Sequence, residues 1–331
     1  MGTSSLTVVT GASGLVGGNL VRALLADKRR VRALVHQDCR ALQDLDIEIA
    51  KADLMDRTSL EAAFSGAEVV YHLAGSISLR MDNWDELEAV NVGGTRNVVE
   101  ACLSRGIRRL VYFSSIHALQ QEPFDQTLDE TRPFLDDPQA PPYERSKVAA
   151  EHVVSQAVEK GLDAVIIIPT AILGPNDYKP SYIGRALQLL ARRRIPALVE
   201  GGYDWVDVRD IVFGAMQAER LGQSGERFIL SGHWYSIRDV AGAAAEICGV
   251  SSFYPVVPLR LAEFAAPLMA KLTSLNGSEP LYSTAMLNAL RSNRHISHAH
   301  AAQRLAYHPR PFSETLADTL AWFQVQPAEG K

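Results

Sequence analysis

Cysteine is scarce in this 331-residue chain. Cys39, Cys102 and Cys248 are odd in number and far apart, which excludes a disulfide framework and a paired-cysteine metal or redox site. A reducing, cytoplasmic setting is the expectation. A surplus of positive charge is missing too: 33 basic against 38 acidic residues give a formal net charge of -5, whereas a nucleic-acid binder needs basic excess to engage phosphates. Long apolar runs are absent. The most apolar late stretch, Leu261 to Leu275, is broken by Glu263 and Lys271 and falls short of the ~20 residues that cross a bilayer. The opening Met-Gly-Thr-Ser-Ser-Leu lacks the basic and apolar regions of a leader, and Leu6 stands where a myristoylation signal carries Ser or Thr. With 47% hydrophobic and 21% charged residues, disorder does not fit either. At ~150 residues per domain, the length allows about two domains with real cores.

What is present is alternation. Short β-branched runs at Leu6 to Thr10, Val31 to His36, Glu68 to Leu73, Leu110 to Ser114 and Leu162 to Ile168 are separated by amphipathic helical stretches, the pattern of βαβ units on a parallel sheet. Trp84 to Arg105 reads as one long helix stopped by Gly106. Gln120 to Pro142, rich in Pro, Asp and Gln, reads as a long loop of the kind that covers active sites. After Pro169 the alternation weakens, and from Ser236 onward helix dominates.

The strongest local signal is Thr10-Gly11-Ala12-Ser13-Gly14-Leu15-Val16-Gly17, which follows a strand and opens a helix. Glycine is needed there because a Cβ would block close approach of the backbone to a pyrophosphate, whose charge then rests on the helix N-terminus. At the end of the second strand stands His36, with Asp38 and Arg40 after it. A site for NAD places a carboxylate at that strand end, and a site for NADP needs positive charge there, so His36 and Arg40 favour NADP(H) while Asp38 keeps NAD(H) open. Asp53 is a candidate to accept from the adenine amino group, and Asp56 or Thr58 is the better helix cap.

A second constellation lies downstream. Tyr143 and Lys147 stand at i and i+4 on a helix and share a face, and Ser115 closes a strand whose C-terminal end points into the crevice that parallel sheets use for ligands. A phenol of ordinary pKa near ~10 is a poor acid–base group at neutral pH, and a neighbouring ammonium favours its phenolate. Ser115 can then hydrogen-bond the substrate oxygen on which Tyr143 acts.

These motifs, with Asp53-Leu54, His72-Leu73-Ala74, Asn91-Val92-Gly93-Gly94-Thr95, Ser114-Ser115, Pro169 to Pro175, Val206 to Asp210 and Leu305 to Arg310, make the chain resemble the extended short-chain dehydrogenase/reductases over nearly its whole length. Within them it looks more like the dihydroflavonol-reductase and 3β-hydroxysteroid-dehydrogenase members than the nucleotide-sugar epimerases. Those usually carry an Arg before the late Val-Asp pair, where this chain has Asp204-Trp205. Ile168 and His36 also stand where many relatives carry Arg.

The resemblance implies a doubly wound α/β Rossmann domain over 1–170, with a return at about 203–232, and a smaller, mostly helical substrate lobe formed by 171–202 and 233–331. It implies catalysis by Ser115, Tyr143 and Lys147, with Lys147 also binding the nicotinamide ribose. The implied cofactor site takes in Gly11, Ser13, Gly14, Leu15, Val16, Gly17, His36, Arg40, Asp53, Leu54, Leu73, Ala74, Gly75, Asn91, Ser114, Tyr143, Lys147, Pro169 and Thr170. Together these readings point to an NADP(H)-dependent oxidoreductase acting on a carbonyl or secondary alcohol of a moderately apolar small molecule. Rivals are a nucleotide-sugar epimerase or dehydratase that retains NAD, and a dinucleotide sensor without turnover. A homodimer is the symmetry prior.

Other features read more blandly. His295, His298 and His300 lack acidic or cysteine partners and read as a solvated helix face instead of a metal site. Arg192 to Arg194 read as a solvated helix end, with an anionic substrate group as the rival role. Phe124, Tyr178, Tyr182 and Trp205 are candidate pocket aromatics.

Overall fold

The apolar runs fold into strands because they bury both faces. In the computed structural model, β1 (Leu6–Thr10), β2 (Arg30–Val35), β3 (Glu48–Lys51), β4 (Ala67–His72), β5 (Arg109–Phe113), β6 (Ala164–Pro169) and β10 (Arg227–Leu230) form one parallel sheet in the order β10-β6-β5-β4-β1-β2-β3. The residues described are 5–36, 38–78, 80–250, 253–266 and 284–325. The amino-terminal reading and most of Leu261 to Leu275 lie outside them. Among the described residues no helix is long and apolar enough to cross a membrane.

Two apolar layers clamp the sheet. Val9 faces the layer built with α1 (Leu15–Ala26), α7 (Val208–Leu221) and the helix Ala299–Leu305, while its neighbour Val8 faces α2 (Arg57–Phe64), α4 (Gly94–Arg105) and α5 (Pro142–Glu159). All six residues of β6 are buried, and burying each of its three isoleucines contributes about 1.5–3 kcal/mol. Strand order reverses between β1 and β4, so the crevice at their carboxyl ends is where a ligand fits.

The C-terminal lobe is less purely helical than the composition suggests. Beside α6 (Tyr182–Ala191), α8 (Ile237–Cys248) and the helix Phe312–Val325 stand β7 (Ala171–Leu173), β9 (Gly202–Asp207) and β11 (His233–Ser236) as one sheet, and β8 (Leu198–Val199) with β12 (Val256–Val257) as another. These strands of two to six residues are too short to stand out as periodicity. The Val206 to Asp210 and Leu305 to Arg310 motifs lock this region to the sheet. Arg310 pairs with Asp210 at 2.9 Å, and the Tyr307 hydroxyl donates to the Ser231 carbonyl at 2.9 Å.

Two expectations need correction. The helix read from Trp84 to Arg105 is α3 (Trp84–Leu87), a π-helical turn over Glu88–Gly93, then α4, which ends at Gly106 with φ +64°. The 120–142 loop is not a free cover. Arg132 donates to the carbonyls of Glu122, Pro123, Gln126 and Thr127, Asn293 Nδ2 donates to those of Gln121, Pro123 and Gln126, and the Glu130 carboxylate accepts the Ile229 amide at 2.8 Å. Of its residues before α5, only Pro141 lines the cleft described next.

Candidate active site

The glycine loop passes a direct test of fit to a dinucleotide. Gly11 has φ +67°, and a Cβ there would lie 2.7 Å from the Ala74 amide nitrogen. A Cβ on Gly17 would sit 2.1 Å from the Gly11 carbonyl oxygen, so the helix touches the loop only because Gly17 lacks a side chain. Gly14 differs: its Cβ would meet nothing nearer than that same oxygen at 3.4 Å, and it opens on the cleft. No acidic residue occupies the first turn of α1, and Gly14 offers no side-chain cap, which leaves the helix amides to an anion.

Behind the loop, Thr10 ties the strand ends together. Its Oγ1 accepts from the amides of Leu73 at 3.2 Å and Ala74 at 3.1 Å, so its own proton goes to His72 Nδ1 at 2.8 Å. The His72 Nε2 proton then goes to Thr95 Oγ1 at 3.1 Å. Burial pulls this imidazole down to about 3, which keeps it neutral.

Around β5 and α5 the reactive side chains converge. The Ser115 hydroxyl bonds the Tyr143 phenol, and the Lys147 ammonium donates to the Phe113 carbonyl at 3.0 Å. Burial pushes the phenol up to about 12 and pulls the ammonium down to about 8, the Ser115 bond opposing the first and the Glu151 charge the second. The resting pair at neutral pH is therefore phenol and ammonium. Beneath it, the fully buried Glu151 accepts from Ser114 Oγ and pairs with Arg227 at 2.8 Å.

Next to the tyrosine, Glu144 Oε1 lies 3.6 Å from His117 Nδ1. Burial and the nearby Asp137 charge push Glu144 up to about 7, and burial holds His117 down at about 4, so at neutral pH the imidazole is uncharged and the contact is not a full ion pair. Asp204, pushed up to about 6 by burial, accepts from Thr170 Oγ1 and the Gly232 amide, both at 2.7 Å.

One cleft of about 910 Å³ gathers most of the residues expected from sequence. It is lined by Gly11, Ser13, Gly14, Leu15, Val16, Gly17, His36, Asp53, Leu54, Leu73, Ala74, Gly75, Ser114, Ser115, Tyr143, Lys147, Pro169 and Thr170. Two do not line it. Arg40 is turned onto Asp38, with Nη2 2.9 Å from Oδ2, and Asn91 is a buried clamp whose amide bonds the Ser76 backbone and Ser146 Oγ.

Of the four aromatics, only Tyr182 lines the cleft. Trp205 is core, Phe124 is exposed, and Tyr178 packs on Trp322 and Arg22. Tyr203, Met286, Lys179, His117, Glu144 and Asp204 line it without having been singled out. His117 and Glu144 were within reach of sequence reasoning, being two residues from Ser115 and adjacent to Tyr143.

The three histidines do not converge: His298 bonds Ser231 Oγ at 2.9 Å, and His300 bonds Glu226 at 3.0 Å while stacking on Phe228. His298 and His300 thus dock the helix Ala299–Leu305 on β10, while His295 is exposed as a solvated residue would be. Arg192 to Arg194 are exposed and do not line the cleft.

Comparison with known proteins agrees with this architecture. The model of the NAD dependent epimerase/dehydratase family matches residues 7–230. Sterol demethylase protein B of Methylococcus capsulatus is 34% identical over 96% of this chain and 98% of its own. A Synechocystis sp. protein, provisionally named a dihydroflavonol 4-reductase, is 32% identical over 96% and 94%. The crystal structure of gox2253 superposes with a TM-score of 0.85 at 31% identity, covering 97% of this chain and 98% of that one. With the glycine loop, the reversed strand order and the Ser-Tyr-Lys cluster in one cleft, the chain belongs to the NAD-dependent epimerase/dehydratase family, the extended branch of the short-chain dehydrogenase/reductases.

Proposed function

We propose that the protein is an NADP(H)-dependent oxidoreductase that interconverts a carbonyl and a secondary alcohol on a moderately apolar substrate. The observation that carries this reading is the chemistry of the cleft wall. Ile77, Ile116, Pro141, Ile183, Met286 and Ile296 line it, and among the described residues no arginine does. A nucleotide-sugar diphosphate is best held by the bidentate fork of an arginine, whereas an apolar ketone or aldehyde needs burial and a few placed polar groups. The lobe formed by 171–202 and 233–331 contributes Ile183 and Met286 to that wall and is assigned here to substrate binding.

Bound NADPH would supply the hydride. The glycine loop and the α1 amides would hold its pyrophosphate, and Lys147 its nicotinamide ribose. For reduction, Tyr143 gives the phenolic proton to the carbonyl oxygen, and Ser115 donates a hydrogen bond to the same oxygen as negative charge develops. The Lys147 ammonium stabilises the phenolate left behind. Both oxygens of Asp38 are engaged by Arg40, which withdraws that carboxylate from the ribose 2′-OH role an NAD site would give it.

The test combines cofactor titration with a screen of ketones and aldehydes for NADPH oxidation. Exchangeable NADPH consumed on carbonyl addition is expected. Purified protein that retains NAD and shows no net redox overturns the reading in favour of an epimerase.

A pH dependence follows from the lysine. The rate of reduction is expected to fall as pH rises through about 8, where Lys147 loses its proton and the phenolate its counter-charge. In Lys147→Arg the charge persists, so the alkaline limb should move up. A limb unchanged in that variant assigns it to another group.

A further inference from the structure

Arg22, on α1, holds two distant segments at once. One Nη donates to the Ala41 carbonyl at 2.8 Å, in the turn that follows β2, and the other donates to the Tyr178 hydroxyl at 3.1 Å. The guanidinium also faces the Tyr178 ring at 5.3 Å. One turn earlier, Asn19 donates to the Pro175 carbonyl at 2.9 Å and accepts from Asn176 Nδ2 at 2.9 Å. Residues 175–178, which leave β7 for the C-terminal lobe, are thereby stapled along the helix that begins at the glycine loop.

The next residue is Lys179. It is exposed, and it lines the cleft together with His36 and Asp38, at the outer end of β2. Its field is felt there, since after the Arg40 bonds it helps hold the Asp38 carboxyl below its usual range. Asp38 and Arg40 cancel each other as a bidentate pair. Lys179 is thus a cation of this rim that the Asp38–Arg40 pair does not neutralise.

Resting on the NADP(H) reading above, we propose that Lys179 recognises the adenosine 2′-phosphate, a cation delivered from the lobe segment across α1 where the strand end itself carries His36. Cofactor choice is then set by a residue 143 positions beyond that strand end in the chain. Because Arg22 fixes both the Ala41 turn and the Tyr178 segment, the Lys179 backbone is already placed, and its phosphate contact costs little ordering of the main chain.

Calorimetric titration of wild type, Lys179→Ala, Lys179→Arg and Lys179→Glu with NADPH, NADH, 2′,5′-ADP and 5′-AMP tests this without turnover. Lys179→Ala should weaken NADPH and 2′,5′-ADP about tenfold, as for loss of one charge-assisted bond, and leave NADH and 5′-AMP within about twofold. Lys179→Arg should restore both phosphorylated ligands, and Lys179→Glu should weaken them further than Ala does. A wild type that binds NADPH better than NADH, with a Lys179→Ala variant that loses both equally or neither, overturns the role of Lys179 and leaves the cofactor reading standing. A wild type that prefers NADH overturns the cofactor reading and this proposal with it.

Discussion

Tyr143→Phe is expected to lower turnover roughly 10³-fold while leaving cofactor affinity unchanged, since a positioned acid–base group contributes about 10²–10⁴. The substitution removes one oxygen and keeps the ring. Ser115 keeps its hydrogen bond to the His117 amide, and Lys147 keeps its bond to the Phe113 carbonyl, so the neighbouring groups hold their places. What disappears is the proton. The Ser115 hydroxyl cannot replace it, because an alcohol is far weaker as an acid than a phenol pushed up to about 12. Steady-state rates with a responsive carbonyl, paired with a cofactor titration, check the expectation; near-wild-type turnover would remove Tyr143 from the mechanism.

The second large effect concerns stability. Arg227→Met should cost about 3–5 kcal/mol, because it leaves Glu151, which has no exposed surface, charged and without its cation. The guanidinium also donates to the Glu130 carbonyl at 3.2 Å and lies 4.7 Å from the Phe134 ring, so the 120–141 loop loosens with it. Pairing the change with Glu151→Leu should recover most of the loss, since removing both charges also removes the uncompensated one. Urea unfolding of the single and double variants separates the cases; a single variant within about 1 kcal/mol of wild type refutes the account. The loss should also reach activity. Glu151 accepts from Ser114, next to Ser115, and stands one turn beyond Lys147 on α5.

Sequence reasoning reached the sheet and the reactive centre for the same reason: both are written locally. A strand is a run of β-branched residues, a phosphate cradle is a glycine spacing, and Tyr143 and Lys147 are one helical turn apart. Their convergence needs only the reversal of strand order between β1 and β4.

The rest of the cleft wall obeys no such rule. Tyr203 and Asp204 come from a strand paired with β7 and β11, Met286 from a short helix, and Lys179 from a turn, so their placement depends on packing between segments far apart in sequence. Asn91 misled for a related reason. Its segment was recognisable, but the π-helical turn spends its amide on Ser76 and Ser146, which no spacing could reveal. Arg40 was placed correctly along the chain, and its charge was already taken by a carboxylate two residues away.

The bond from Glu130 to the Ile229 amide also bears on how copies of this protein meet. Among the described residues β10 pairs only with β6, which would leave its outer row of amides open to a strand from another molecule. A carboxylate from the loop occupies the Ile229 amide, and the helix Ala299–Leu305 covers the face beside it. At the opposite margin, β3 is four residues long and carries Glu48 and Lys51. Both margins are thus guarded against edge-to-edge joining by one hydrogen bond on one side and by brevity and charge on the other. The seven-stranded sheet is thereby closed to simple continuation from one copy into the next.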